Sequence, residues 1–373
     1  MWTRPLDQIT AADLHDLVLR RQAEGRRLDF KARFPESGER AVREFLADVS
    51  SFANTDGGDI VIGVADDGNG VAASVPGIDP HTLDEDLLRI EGQLRDCLDP
   101  RLPAFHVQTV PLDDGRVALV LRVSASLLAP HRVNYKSSRF FGRNSRGKFE
   151  MDTSEIRLAF AATDELPRKL RDLHVRAIAA TDGVNMPCFL DAGPTVILTV
   201  APLSILREAR DIPVTRHNAV LPPDISGYRH ASGLDGVVMF PSPNPDTGTG
   251  TGWAYTRRRG YVDIAWTIGR DTGEKGLFVW RNRFEAIDKL AGSSVARLRE
   301  HGLEGPWVAM ATLQGAKGYR IVLGDHHPTE HVWQEPAYLG EIIADALTPE
   351  NLKPFHDRFW RLFGMDAAPR RER

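Results

Sequence analysis

The chain has 373 residues, which is longer than a single hydrophobic core usually grows, so we expect two domains. Hydrophobic residues make up 42% of the sequence and charged residues 26%, as in ordinary soluble proteins, and a net charge of −4 gives no overall attraction for nucleic acid. Only two cysteines are present, which excludes a disulfide scaffold and a cysteine-based zinc site. Since we find no secretory signal or long apolar run, the sequence favours a cytoplasmic protein without a membrane partner.

The first strand is predicted over Arg26–Lys31, where the apolar residues alternate with charged ones. Leu28 and Phe30 point to one face of such a strand, and Asp29 and Lys31 point to the other. The two charged side chains are therefore expected to lie side by side on a polar face.

A first helix is predicted from the capping box Thr10–Asp13 to near Glu24. A second helix is predicted over Ser37–Ala53, and it ends at Asn54 and a pair of glycines that favour a left-handed turn. The β-branched run that follows predicts a buried strand over Asp59–Ala65, with Asp66 at its mouth. Taken alone, this Asp-Gly turn is also typical of an ordinary polar turn. A third helix and a hairpin follow, predicted over Thr82–Leu98, Phe105–Val110 and Val117–Val123.

The segment His131–Lys148 is the most basic part of the chain and contains no acidic residue. Cations hold phosphates and aromatic rings stack on bases, so this segment is the best signal for nucleic-acid binding. The alternative is a solvated hairpin whose charges only maintain solubility. The candidate contacts are Arg132, Lys136, Arg139, Phe141, Arg143, Arg146 and Lys148.

A domain boundary is predicted near Asp164–Pro167, giving domains over residues 1–164 and 165–373. The second domain alternates strand and helix patterns and is predicted to be α+β, with no recognisable motif. Arg257–Arg259, close to Tyr255 and Tyr261, could extend a nucleic-acid groove or form a solvated turn. The short tract Asp246–Gly252 is interpreted as a flexible loop.

Three motifs in the first half together resemble the Schlafen-type AlbA domain. The resemblance covers residues 24–162 and implies an α+β domain, with a mixed sheet and flanking helices, that handles nucleic acid. The segments that carry it are Glu24–Lys31, Ser51–Gly58 with Ile62–Gly68, and Pro130-His131 leading to Phe140–Ser145.

In the nuclease members of this family, three acidic residues bind a metal ion and cleave RNA. By motif position the resemblance places them at Glu24, Asp29 and Asp66, with Lys31 as the accompanying lysine. Carboxylates suit Mg²⁺ or Mn²⁺, which activates water while a lysine neutralises the phosphate. The family usually has glutamate at position 29, and the missing methylene shifts the carboxylate by roughly an ångström, enough to misplace a metal.

The resemblance supports a nucleic-acid-binding protein, with RNA or DNA as partner, that cleaves its ligand with a divalent metal or acts as a non-catalytic regulator. Association into a homo-oligomer is compatible with either reading. A third reading is ATP binding, since Gly142–Lys148 matches the first seven positions of a P-loop. However, Phe149 replaces the Mg²⁺-binding Ser or Thr of that motif.

Overall fold

The structure is a computed structural model that describes residues 5–103, 105–207, 210–223, 227–273, 276–323 and 327–367. Helices and mixed sheets confirm the α+β class predicted from the sequence. The chain divides into two compact units. One extends to Pro167 and includes Leu206 and Arg207, and the other contains Arg168–Ile205 and the described residues from Arg210 onwards. Every helix among the described residues is too short or too polar to cross a lipid bilayer.

The first unit contains four α-helices and ten strands among its described residues. The helices are α1 (Ala11–Leu19), α2 (Glu39–Ala53), α3 (Leu83–Asp96) and α4 (Thr153–Asp164). The strands are β1 (Leu28–Lys31), β2 (Gly58–Ile62), β3 (Ala65–Asp66), β4 (Ala72–Ser74), β5 (Leu98–Asp99), β6 (Phe105–Pro111), β7 (Val117–Val123), β8 (Arg132–Val133), β9 (Arg139–Asn144) and β10 (Gly147–Glu150).

A four-stranded mixed sheet in the order β1-β2-β7-β6 forms the centre of this unit. Strand β1 pairs with β2 in parallel, and the other neighbours are antiparallel. Both faces are covered, because Ile60 and Ile62 belong to one apolar cluster and Val61 belongs to another. Leu28 and Phe30 pack into the second cluster, which confirms the predicted alternation of β1.

The predicted strand over Asp59–Ala65 is interrupted at Gly63, which has a φ of 98°. A side chain at this position would crowd the backbone of Ala118, so the close approach and the positive φ both favour glycine. Asp66 therefore lies on the separate β3–β4 hairpin instead of at the end of the buried strand.

A second sheet in the order β10-β9-β8-β5 contains the basic segment. Asn54, at the end of α2, connects this sheet to the helix: its Nδ2 donates to the carbonyls of His131 (3.0 Å) and Phe141 (2.9 Å). The His131 amide donates back to Asn54 Oδ1 at 2.6 Å. The motif residues Asn54, His131 and Phe141 thus meet at one structural joint.

The second unit is built around a seven-stranded antiparallel sheet in the order β13-β14-β16-β17-β12-β20-β23. The helices are α5 (Leu166–Ala179), which begins at the end of the first unit, α6 (Arg281–Phe284), α7 (Ala286–Glu300) and α8 (Pro349–Leu362). The strands are β11 (Phe189–Leu190), β12 (Thr195–Pro202), β13 (Tyr228–Gly233), β14 (Gly236–Pro241), β15 (Thr249–Gly250), β16 (Gly252–Arg257), β17 (Tyr261–Thr267), β18 (Gly269–Asp271), β19 (Leu277–Val279), β20 (Trp307–Gln314), β21 (Val322–Leu323), β22 (His327–Pro328) and β23 (Ala337–Ala344).

The division into two units falls after Pro167, within the predicted boundary Asp164–Pro167. This stretch contains the end of α4 and the start of α5, separated only by Glu165. One sequence interpretation in the second unit, the flexible loop, is corrected by the structure. The tract Asp246–Gly252 includes the short strand β15 and the first residue of β16. That residues 1–164 and 165–373 fold separately stays a prediction. Each fragment, expressed alone, should unfold cooperatively.

Candidate nucleic-acid interface

The polar face of β1 meets a carboxylate from helix α2. Lys31 Nζ lies 2.5 Å from Asp29 Oδ2 and 3.1 Å from Asp48 Oδ2. Asp29 and Asp48 are almost inaccessible, with side-chain exposures of 6% and 5%. The predicted pairing of Asp29 with Lys31 is therefore present, and Asp48 extends it into a buried cluster.

Arg143 enters the same cluster from β9 and is fully buried, with 1% of its side chain exposed. Its Nη2 donates to Asp29 Oδ1 at 2.8 Å, and its Nη1 lies 3.9 Å from Asp48 Oδ1. Its Nε donates to the Gly25 carbonyl at 2.8 Å, and its guanidinium lies 4.2 Å from the centre of the Phe52 ring. Since no phosphate can reach a side chain buried in this way, the expectation that Arg143 contacts nucleic acid is corrected.

Lys148 completes the cluster from β10, opposite Arg143 in the strand register. Its Nζ lies 2.9 Å from Asp48 Oδ1 and 2.6 Å from Glu44 Oε2. We call Asp29, Lys31, Asp48, Arg143 and Lys148 the buried ion-pair network. Both lysines also line a pocket of about 460 Å³ beside the segment that follows β1.

The electrostatics of this network follow from opposing effects. Burial would raise the pKa of Asp29, but Lys31 and Arg143 bring that pKa below its ordinary value. Burial would lower the pKa of Lys31, but Asp48 and Asp29 raise it. Both groups are therefore charged at neutral pH, as a paired buried cluster requires.

The lowered pKa of Asp29 predicts a loss of stability in acid. The unfolded chain protonates this carboxyl near pH 4, so its contribution is complete above that pH. The contribution is lost as the pH falls from there through the lower pKa of the folded state. Urea unfolding at a series of pH values should therefore show a weaker acid dependence in Asp29→Asn than in the natural protein, and equal dependences would contradict this assignment.

Glu24 and Asp66 lie near the network but serve the local backbone. The Phe30 amide donates to Glu24 Oε1 at 2.7 Å, and burial followed by the charge of Asp29 raises the pKa of Glu24. Asp66 is exposed, and its Oδ2 accepts from the amides of Gly68 and Gly70, each at 3.0 Å. Asp66 thus stabilises its own turn.

These carboxylates do not fit a divalent ion in the arrangement found. Within the described part of the chain, no three His, Cys, Asp or Glu side chains form a group that could hold a metal. Asp29 already has Arg143 and Lys31 as counter-ions, so a metal would have to displace a protein cation. Glu24 and Asp66 both lie beside Gly70, and the predicted convergence of Glu24, Asp29 and Asp66 on one ion stays a prediction.

The other cations of the basic segment lie at the surface, where acids outside the segment pair with most of them. Lys136 pairs with Glu39 at 2.9 Å, and Arg139 pairs with Glu150 at 2.5 Å. Arg132 pairs with Asp99 at 2.8 Å. Arg146, in the exposed β9–β10 turn, has no ionic partner among the described residues. The segment therefore has fewer unpaired cations than its own sequence, which lacks acidic residues, suggests.

Two further sequence proposals concern the same hairpin. Phe141 is half-buried and packs against the apolar cluster under α2, so stacking on a base is not its main contact. Gly142–Lys148 forms an antiparallel hairpin, with Lys148 opposite Arg143. A P-loop needs a turn that leads directly into a helix, whereas α4 begins only at Thr153, so this segment does not form one.

Sequence reasoning overlooked Asp48, although its position carries a signal. It lies three residues after Phe45 and four before Phe52, so it shares their apolar face of α2. A carboxylate on a buried helical face requires a cation nearby. Spacing alone could therefore have identified Asp48 as a member of a buried charge cluster.

Two kinds of comparison with known proteins give matches. The model of the family described as Schlafen, AlbA_2 matches residues 24–152. One similar solved structure is the DIP2311 protein from Corynebacterium diphtheriae, with 18% identity over 39% of this chain and 30% of that chain, and a TM-score of 0.25. Another is the N-terminal domain of a putative ATP-dependent DNA helicase RecG-related protein from Nitrosomonas europaea, with 25% identity over 32% of this chain and 74% of that chain, and a TM-score of 0.25. No curated protein matches the chain. Residues 24–152 therefore contain the Schlafen AlbA_2 domain that the sequence motifs predicted.

Proposed function

We propose that this is a cytoplasmic protein whose first unit binds RNA or DNA through phosphate contacts and does not cleave it. The observation that carries the proposal is the group of exposed cations around the β8–β10 sheet of the Schlafen AlbA_2 domain. Lys136 and Arg139 each have 63% of the side chain exposed, and Arg146 is exposed in the hairpin turn.

The ion pairs of these surface cations are weak enough to exchange for a phosphate. Their acidic partners Glu39 and Glu150 are about half exposed, at 48% and 49%. Such pairs contribute only about 0 to 1 kcal/mol, because water and salt screen them. A nucleic-acid strand offers a continuous line of negative charge and releases counter-ions on binding, so it competes well with isolated carboxylates.

The buried ion-pair network supports binding indirectly by fixing the hairpin that presents these cations. Arg143 and Lys148 join β9 and β10 to Asp29 on β1 and Asp48 on α2. Arg146 lies between these two anchored positions, in the turn that connects the strands. The network therefore limits the positions that the turn can adopt, which reduces the entropy lost on binding.

The same network argues against metal-dependent cleavage. A catalytic ion needs carboxylate oxygens that are available to it. Asp29 instead forms ion pairs with Lys31 and Arg143. Asp66 Oδ2 accepts hydrogen bonds from two backbone amides of its own turn. Binding without turnover, the second reading from the sequence, is therefore the function that we favour.

End-labelled single-stranded RNA and DNA test this proposal directly. We expect the full-length protein to bind the strands without cleaving them, and to do so equally well in Mn²⁺ and in EDTA. Arg146→Ala should weaken retention several-fold, whereas Arg95→Ala, which removes an exposed charge from α3, should not. Cleavage that requires Mn²⁺ and disappears in Asp29→Asn would overturn the non-catalytic part, and equal effects of the two arginine variants would overturn the assigned surface.

A further inference from the structure

The second unit contains a pocket of about 320 Å³ whose lining is dominated by arginine. Five guanidinium groups face two aspartates there, Asp211 and Asp235. The arginines are Arg176, Arg210, Arg257, Arg258 and Arg259. Like charges gathered in a concave surface raise its electrostatic potential and favour an anionic ligand.

The floor of this pocket is held rigidly by Arg257. Its Nε donates to Asp263 Oδ2 at 2.9 Å, and Asp263 is completely buried and also accepts from Thr199 Oγ1 at 3.0 Å. The Arg257 guanidinium stacks on the Tyr255 ring, 3.5 Å from its centre. A guanidinium fixed in this way keeps its orientation without a ligand, so it adds a preorganised positive charge at the base.

The other walls present guanidinium groups that form no salt bridge with the part of the chain that the structure describes. Arg176, Arg258 and Arg259 form neither a salt bridge nor a side-chain hydrogen bond among the described residues, and Arg176 and Arg259 are exposed. Their donors are therefore available to an anionic ligand.

Backbone hydrogen bonds hold the segments of this pocket together. The Arg258 amide donates to the Asp235 carbonyl at 2.7 Å, and the Arg258 carbonyl accepts from the Ile212 amide at 2.7 Å. The β16–β17 turn closes at Gly260, whose φ is 90°. With Arg176 on α5, four separate parts of the chain, all within the second unit, thus converge on one site.

We propose that this pocket binds a terminal phosphate group, carried by a free nucleotide or by the 5′ end of a nucleic-acid strand. Guanidinium groups recognise phosphate oxygens through paired, charge-assisted hydrogen bonds, and three arginines with available donors suit a phosphate dianion. The volume accommodates a phosphate with part of a sugar. The proposal concerns the second unit and does not rest on the function proposed for the first.

Calorimetric titration of the full chain at constant ionic strength tests the site. The probes are adenosine, adenosine 5′-monophosphate, pyrophosphate and two short DNA strands that differ only in a 5′-phosphate. We expect adenosine 5′-monophosphate and pyrophosphate to bind and adenosine not to bind. Stronger binding of the 5′-phosphorylated strand than of the unphosphorylated strand identifies a strand end as the source, whereas equal binding of the two strands, with adenosine 5′-monophosphate bound, identifies a free nucleotide.

Variants then assign the binding to the pocket. Arg259→Ala and Arg176→Ala should each weaken binding of adenosine 5′-monophosphate roughly 10- to 100-fold, the worth of a hydrogen bond to a charged group. Arg361→Ala removes an exposed arginine from α8 and should have no effect. Failure of every phosphate probe to bind, or equal weakening by all three variants, would overturn the proposal. The proposal would also be overturned if chloride displaced adenosine 5′-monophosphate as well as pyrophosphate does, since the pocket would then be only a general positive surface.

Discussion

Replacing Arg143 with alanine should lower the free energy of unfolding by about 3 to 5 kcal/mol, the usual cost of removing one partner from a buried ion pair. Arg143 is the buried counter-ion of Asp29 and lies close to Asp48. Without it, Asp29 keeps only Lys31 as an ionic partner among the described residues, and Lys31 is shared with Asp48. The contact with the Phe52 ring is lost as well. Urea denaturation followed by circular dichroism measures the change.

Arg139→Ala is the matched control, because Arg139 lies on the same strand and also pairs with a carboxylate. Its pair with Glu150 is exposed, so its removal should cost less than about 1 kcal/mol. Similar losses in the two variants would mean that the buried position of Arg143 has been assigned wrongly.

Arg122→Met should be comparably destabilising, again by about 3 to 5 kcal/mol. Arg122 on β7 forms a paired contact with Asp59 on β2, with Nε–Oδ1 at 2.7 Å and Nη2–Oδ2 at 3.2 Å. Both side chains are buried, at 3% and 0% exposure. Methionine retains much of the volume but leaves the Asp59 carboxylate without this partner, so most of the loss comes from an uncompensated charge.

A double replacement separates charge from packing at this pair. Adding Asp59→Leu to Arg122→Met should recover part of the lost stability, because no isolated carboxylate then remains in the sheet. Arg132→Met, which breaks the exposed pair with Asp99, is the control and should change the free energy of unfolding by less than about 1 kcal/mol. A double variant less stable than Arg122→Met alone would contradict this explanation.

The local pattern of the sequence predicted the elements of the first unit well. The alternation around Asp29 specified β1 and its polar face, because side chains in a strand alternate regardless of what the strand contacts. Local sequence also predicted α2, from the spacing of its apolar residues, and the turn after Asn54. Gly63 was read as part of a strand, since its positive φ depends on the close approach of β7.

The charge pairing of the site could not be predicted, because it depends on residues far apart in the chain. Arg143 and Asp29 are separated by 114 positions, and Lys148 and Glu44 by 104. Nothing in the basic segment reveals which of its cations will be buried. In the second unit, α5 was overlooked because Pro167 suggested a break, whereas proline is tolerated in the first turn of a helix.

The salt dependence of nucleic-acid binding tests the central claim that exposed cations of the β8–β10 sheet contact phosphates. Affinity for a single-stranded oligonucleotide should be measured over a range of salt concentrations, using Lys136→Ala/Arg146→Ala and the control Arg20→Ala/Arg95→Ala, which removes the same charge elsewhere. We expect the first pair to lower affinity and to flatten the slope of log K against log salt by about 1.4, since each single-strand phosphate contact contributes about 0.7. The control should keep the slope of the natural protein. An unchanged slope in Lys136→Ala/Arg146→Ala would contradict the proposed interface.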